Sequence, residues 1–290
     1  MATLYKLSGA GNDFIVLDGR SGGVDEYRKE VIIKTLCDRN TGFKAADGRV
    51  GADGVMILSS SDDGAWDFVM EYFNSDGSSG MMCGNGGRCI VAFADFMGIV
   101  PANGKFYEFL AADGPHTGEI LGRDGHTCTV KLKMKDVSEY RRCTDGWFLD
   151  TGTRHFVKFV DDVEAVDIAT EGPRYRWSEE FAPIGANVNF VQVLPDGSLK
   201  VRTFEKGVED ETLACGTGIT ASALAAHLEA QHTESGSDTP ASSGTPASSG
   251  TTAKSIHTAV HARIDELAVD FTPSGTIFTD VFLTGPAALI

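Results

Sequence analysis

One local pattern occurs twice in this chain, and a duplicated pattern constrains a fold more than any single element does. In the first half a strand-like run ends in Phe73-Asn74, a polar Gly-containing turn follows, and Cys83-Gly84-Asn85-Gly86 opens an apolar helix. In the second half a strand-like run ends in Phe204-Glu205, another polar turn follows, and Cys215-Gly216-Thr217-Gly218 opens a second helix. Ten residues separate Phe73 from Cys83 and eleven separate Phe204 from Cys215. Earlier in each half, Gly9-Ala10-Gly11-Asn12-Asp13-Phe14-Ile15-Val16 matches Gly152-Thr153-Arg154-His155-Phe156-Val157. Two copies of one unit predict a pseudo-twofold pair of domains whose equivalent cysteines face each other. A chain of 290 residues is long enough for two cores. The expected division is 1-140, carrying Cys83 and taking back a terminal strand 276-290, and 141-275, carrying Cys215.

Period-2 patterning dominates elsewhere. Cys128, Val130, Leu132 and Met134 alternate with Thr129, Lys131, Lys133 and Lys135, as in a strand with one buried face. Trp66 to Phe73, His155 to Val160, Val188 to Leu194 and Leu199 to Glu205 also read as strands. Helices are expected at Asp25 to Cys37, Asn85 to Met97 and Thr217 to His232. The run 233-255 is Ser/Thr/Gly/Pro-rich, repeats the unit TPASSG, and reads as a surface loop insertion without a core of its own.

Charge and cysteine usage narrow the function. A formal net charge of -16, spread along the chain, repels phosphate backbones, so nucleic acid is not an expected partner. The N-terminus lacks a signal-peptide core and no run approaches the length of a membrane span, which predicts a cytoplasmic protein with no membrane partner. Six cysteines without a Cys-x-x-Cys pair fit neither a disulfide scaffold nor a zinc module, and no metal site is expected. Gly216-Thr217-Gly218-Ile219-Thr220-Ala221 matches a dinucleotide fingerprint, yet a long acidic turn separates it from its strand and no ribose-binding acid follows. No P-loop motif exists.

The duplicated cysteines carry the chemistry. A thiolate is the reactive form, and a helix N-terminus can lower a cysteine pKa from about 8.5 to roughly 3.5–7.5. Each Cys-Gly-x-Gly puts a thiol there, beside the unpaired N–H groups of a first helical turn, where a substrate carboxylate can dock. Inverting a stereocentre that carries hydrogen requires a base on one face and an acid on the other. Two opposed cysteines, one thiolate and one thiol, meet that need and exchange roles at each turnover. Developing enolate charge must then be stabilised by fixed donors. Cys37, Cys89, Cys128 and Cys143 fall within or near the ends of predicted elements and read as core.

At these residues the chain resembles the diaminopimelate epimerase family, from about Leu4 to Gly285 outside the insertion. The motifs are Gly11-Asn12-Asp13-Phe14, Phe73-Asn74 with Cys83-Gly84-Asn85-Gly86-Gly87-Arg88, Gly185-Ala186-Asn187-Val188-Asn189-Phe190, Glu205-Lys206-Gly207 with Glu211 to Gly218, and Leu283-Thr284-Gly285-Pro286. The resemblance implies an α+β fold of two pseudo-symmetric domains, each a mixed, mostly antiparallel sheet wrapped around a central helix. It also implies catalysis by Cys83 and Cys215 without a cofactor, with His155 and Glu205 supporting the thiols. Substrate would be held by Asn12, Asn74, Asn187, Glu205 and Lys206 and by Gly84-Asn85 and Gly216-Thr217; members of the family are often homodimers, and the sequence leaves the oligomeric state open.

The implied reaction interconverts LL- and meso-2,6-diaminopimelate, on the route to lysine and peptidoglycan. Two departures bear on substrate recognition: Lys206 stands where many members have Arg, and Gly152-Thr153-Arg154-His155 where many have Gly-Asn-Pro-His. The alternatives are a sibling racemase acting on a proline-type substrate, which a substrate panel distinguishes, and a non-catalytic binding protein of the same fold, whose thiols would label slowly and equally.

Overall fold

A computed structural model describes residues 2–80, 82–235 and 254–290. The expected insertion thus lies largely outside the described residues. Its first residues, 233–235, continue a helix. The chain forms two compact units, Met1–Lys133 with Gly285–Ile290, and Met134–Thr284.

Unit 1 runs β1 (Leu4–Gly9), β2 (Asn12–Asp18), a 3-10 turn (Asp25–Arg28), α1 (Glu30–Cys37), β3 (Gly54–Ser59), β4 (Phe68–Asn74), α2 (Gly84–Phe96), β5 (Tyr107–Ala111), β6 (Gly114–Asp124) and β7 (Thr127–Lys133). Unit 2 runs β8 (Tyr140–Cys143), β9 (Gly146–Asp150), β10 (Arg154–Phe159), α3 (Ile168–Arg176), β11 (Asn187–Val193), β12 (Leu199–Glu205), β13 (Asp210–Thr212), α4 (Gly216–Ser235), β14 (Ile256–His261) and β15 (Glu266–Ser274). The last strand, β16 (Ile277–Leu289), starts in unit 2 against β15 and ends in unit 1 against β7 and β1.

The two units share one topology. In unit 1 the β2–β3 and β4–β5 pairs are parallel and β1–β2, β3–β4, β5–β6 and β6–β7 are antiparallel. In unit 2 the parallel pairs are β10–β11 and β12–β14, and β9–β10, β11–β12, β14–β15 and β15–β16 are antiparallel. A parallel pair needs a crossover. The first crossover of each unit carries α1 or α3, and the second carries α2 or α4.

Packing explains the helices. α2 touches β1, β2, β3, β6 and β7 and is buried from Gly84 through Ala94, as an all-round apolar helix must be. α4 contacts β9 through β12, β14 and β15 in the same way. α1 covers the opposite face of β2 and β3 through Ile33 and Cys37, against Ile15, Leu17, Val55 and Ile57. α3 covers β10 to β12 through Ile168 and Tyr175, against Phe156, Val188, Phe190 and Phe204. Strands enclosed on both faces lose the alternation that marks a half-exposed strand.

Several sequence expectations shift. The helix expected over Asp25 to Cys37 is broken at Lys29, which is extended at φ -79, ψ 128. Arg28, the last residue of the preceding turn, forks onto Glu71 of β4 with its Nε 2.8 Å from Oε2. α3 forms where no helix is expected, because Gly172-Pro173 interrupts its pattern. Asp167 caps it by accepting from the Thr170 amide, and Gly172 admits the Phe204 ring, 2.5 Å from where a Cβ would stand. The strand expected from Trp66 begins at Phe68. Among the described residues no helix is long and apolar enough to cross a membrane.

Candidate active site

Each unit presents one of the two thiols on the N-terminus of its central helix. Cys83 is the N-cap of α2, with φ -115 and ψ 158, and its Sγ accepts the Gly86 amide at 3.3 Å. An N–H aimed at sulfur from a helix N-terminus favours negative charge on that sulfur. Cys215 stands in the same place before α4; its carbonyl accepts the Ile219 amide at 2.8 Å and its Sγ lies 3.3 Å from Thr217 Oγ1.

Exposure separates these two thiols from the other four. Cys83 is exposed and Cys215 half-buried, whereas Cys37, Cys89, Cys128 and Cys143 are buried. Burial raises the Cys37 thiol to about 11 and those of Cys89 and Cys143 to about 12, so these groups stay protonated and inert.

Strand registers bring the equivalent positions into view. In the parallel ladders Phe14 lies opposite Gly54, and His155 opposite Asn187. Gly54 in turn lies opposite Asn74, and one step beyond the Val188–Phe204 pair puts Asn187 opposite Glu205. Phe14, Met56 and Tyr72 therefore correspond to His155, Asn189 and Thr203. Two residues upstream of Phe14 and His155, Asn12 corresponds to Thr153, and on the helices Asn85 corresponds to Thr217.

In unit 1 the expected substrate residues belong to a dense polar network. Asn85 Nδ2 donates to Asn12 Oδ1 at 2.7 Å, Asn12 Nδ2 to Asp53 Oδ2 at 2.8 Å, and fully buried Arg88 to Asn85 Oδ1 at 2.9 Å. Arg39 bridges Asp53 and Asp13, and Asp13 also pairs with buried Lys6 at 2.7 Å. Asn74 Nδ2 donates to Ser78 Oγ at 3.0 Å. After Cys83 Sγ at 3.3 Å, the nearest atoms to a Cβ on Gly86 would be Met56 Sδ and Phe14 Cζ, each at 3.7 Å. Burial and then the Cys83 charge push the Tyr72 phenol up.

In unit 2 the equivalent shell is polar. His155 is fully buried, with Nδ1 3.0 Å from Asn189 Nδ2 and Nε2 2.9 Å from both Thr153 Oγ1 and Thr217 Oγ1. Asn189 also donates to the Phe156 carbonyl at 3.1 Å and accepts from Thr203 Oγ1 at 3.0 Å. Desolvation pushes the His155 pKa from 6.5 to about 3, against the pull of Asp150, so the ring is neutral. Asn187, 5% exposed, ties two segments together by donating to the Arg154 carbonyl at 3.0 Å and accepting from the Lys206 amide at 2.7 Å. Glu205 is half-buried at the end of β12, and the Lys206 side chain is exposed.

Asp53, Arg39 and Thr203 are members of these networks that lie outside the quoted motifs, and Asn189 lies within the Gly185-to-Phe190 motif without a role assigned to it there. For Asn189 a signal exists: a polar residue in the middle of the apolar run Val188-Asn189-Phe190 is buried only where partners wait for it.

The model of the diaminopimelate epimerase family matches residues 4–116 and 147–264. A diaminopimelate epimerase of Flavobacterium psychrophilum is 37% identical over 287 residues, covering 99% of this chain and 97% of that one. The chain belongs to the diaminopimelate epimerase family. Another diaminopimelate epimerase, from Chlorobaculum tepidum, is 43% identical over 226 residues, 75% of this chain and 80% of that one. Among solved structures, a Bacillus anthracis phenazine biosynthesis protein of the PhzF family aligns with TM-score 0.65 at 11% identity, over 99% of this chain and 96% of that one. A hydroxyproline epimerase from Agrobacterium vitis aligns with TM-score 0.61 at 15% identity, over 100% and 89% of the two chains. At such identities the likeness speaks to fold alone, and it agrees with the expected α+β architecture of this epimerase family.

Two expectations follow for this family member. A Cβ on Gly218 would stand 2.4 Å from Asn189 Oδ1 and 3.2 Å from His155 Cε1. Gly218→Ala must therefore displace the hydrogen-bonded Asn189 amide or the start of α4, with an expected loss of about 1–3 kcal/mol and about a hundredfold in kcat. Gly86→Ala, whose nearest contact is 3.3 Å, is expected to be milder, and steady-state kinetics with urea melts compares the two. The second concerns pH. His155 binds its proton more weakly folded than unfolded, so its contribution to stability is complete above pH 6.5 and is lost progressively as pH falls toward 3. Urea melts across that window should show a shallower decline in His155→Gln than in the wild type.

Proposed function

We propose that this isomerase interconverts LL- and meso-2,6-diaminopimelate, with Cys83 and Cys215 as the acid–base pair. One thiolate removes the α-proton, and the other thiol returns a proton to the opposite face of the same carbon. The next turnover runs the roles in reverse. Amides at the starts of α2 and α4, around Gly84-Asn85 and Gly216-Thr217, are suited to receive the α-carboxylate and the charge that develops on it. Asn12, Asn74, Asn187, Glu205 and Lys206 are assigned to the rest of the substrate.

One observation carries the reading. Of six cysteines, the two that are not buried are the two that head the central helices of a duplicated fold, in a chain of this family. The network around Asn12 supports its part, since an amide fixed at both ends is a preorganised contact.

Proton NMR of LL-diaminopimelate with the reduced protein in deuterated water tests the proposal. The α-proton signal is expected to disappear as the meso isomer forms. No exchange, from protein shown to be folded, would overturn it.

A further inference from the structure

The two halves repeat one fold, yet the helix starts that carry the thiols sit in different chemical shells. Where unit 1 has Phe14, Met56 and Tyr72, unit 2 has His155, Asn189 and Thr203, joined to one another by hydrogen bonds of 3.0 Å. The Asn12–Asn85 contact of unit 1 is matched by Thr153–Thr217, with their hydroxyl oxygens 3.0 Å apart. In unit 1 that contact runs to Arg88 and Asp53; in unit 2 its members touch His155 Nε2, and Thr217 also touches Cys215 Sγ.

Proton placement follows from the partners. The Phe156 carbonyl can only accept, so the Asn189 amide must direct its NH₂ toward it and toward His155 Nδ1. Nδ1 is then an acceptor and the ring proton lies on Nε2, where it can be donated only to Thr153 or Thr217. A consistent chain results: His155 N–H to Thr153, Thr153 O–H to Thr217, and Thr217 O–H to the Cys215 sulfur. With Cys215 as a thiol, the S–H donates to Thr217 and that hydroxyl turns to Thr153. A hydroxyl serves either state because it both donates and accepts.

We propose that Thr153 and Thr217 are positioning residues, a hydroxyl bridge through which the buried His155–Asn189 array holds the Cys215 sulfur and supplies its thiolate with a hydrogen bond. Thr217 alone touches both His155 Nε2 and Cys215 Sγ; Thr153, at the position where this chain departs from the Gly-Asn-Pro-His pattern, adds a second hydroxyl that contacts His155 and Thr217. This rests on the proposed role of Cys215 as an acid–base group, but its geometry lies wholly within unit 2. The charged group acting on His155 is Asp150, which competes with burial and does not overcome it.

The test follows alkylation of the full-length, substrate-free protein by iodoacetamide across pH, reading Cys215 and Cys83 separately by peptide mass spectrometry. Thr217→Val is expected to raise the pH midpoint for Cys215 by about one unit, about a tenfold loss of thiolate below it. Thr217→Ser should restore the midpoint, exposed Thr153→Val should raise it by a smaller amount, and the Cys83 midpoint should stay in place throughout. An unchanged Cys215 midpoint in Thr217→Val, a shift that serine does not reverse, or an equal shift at Cys83 overturns the bridge. Because the readout needs no turnover, a failure to act on diaminopimelate would overturn the proposed reaction without touching the bridge, which stands or falls on the Cys215 midpoint.

Discussion

Cys83→Ala and Cys215→Ala are each expected to lower kcat/KM for the interconversion, in both directions, by at least about 10²–10⁴-fold, the range general acid–base catalysis supplies. On the proposed mechanism, removing either thiol would leave one face of the α-carbon without a proton donor or acceptor, and the surviving cysteine would only return the proton to the side it came from. The double variant should be scarcely worse than either single one, since the two act as a unit. Steady-state rates for LL and meso substrate, with circular dichroism to establish folding, check this. A single variant that keeps wild-type activity in both directions would end the two-thiol mechanism. The same substitution at Cys89 would instead reduce stability, because that side chain is fully buried.

Asp13→Asn is expected to destabilise the protein by about 3–5 kcal/mol, the usual consequence of removing one partner of a buried ion pair. Lys6 and Asp13 side chains are 0% and 4% exposed, and their charged atoms lie 2.7 Å apart. Without the carboxylate's charge, Lys6 Nζ is left with neutral acceptors, the Gly51 carbonyl at 2.6 Å and the oxygen of the new amide. Arg39, half-exposed, loses one of two carboxylates, and the Asp53 that steadies Asn12 shifts with it. Urea denaturation measures the loss. The double variant Lys6→Met/Asp13→Asn should cost less than the sum of the two single variants, because the residues share one interaction. A cost within about 0.5 kcal/mol of zero for Asp13→Asn, the level of an ordinary surface change, would contradict this role.

Much of the fold is legible in the sequence because duplication is visible without coordinates. Phe73 to Cys83 and Phe204 to Cys215 repeat at nearly one spacing, and strong local signals mark the same elements: glycines after a cysteine, then an unbroken apolar helix. β7 and β12 are readable for the same reason, as their side chains alternate between core and less buried positions. β3 is not, since Gly54–Ser59 is enclosed on both faces and shows no alternation. α3 escapes because Gly172-Pro173 reads locally as a stop, while the surrounding core of Phe156, Phe190 and Phe204 outweighs that preference.

The sequence by itself determined the pair of thiols and the two helices that present them, since both depend on residue type at short spacing, and it pointed to the proton transfer proposed for them. The tertiary structure alone decided which polar side chains meet. Asn12 finds Asp53 across 41 residues, His155 finds Asn189 across 34 and Thr217 across 62, and Lys6 reaches Gly51 across 45. Such contacts arise from strand register and helix docking, which bring distant residues together only when the whole apolar core condenses. A hydrogen bond is satisfied by geometry as well as by composition, so a short stretch of sequence can name the groups that need partners and cannot name the partners.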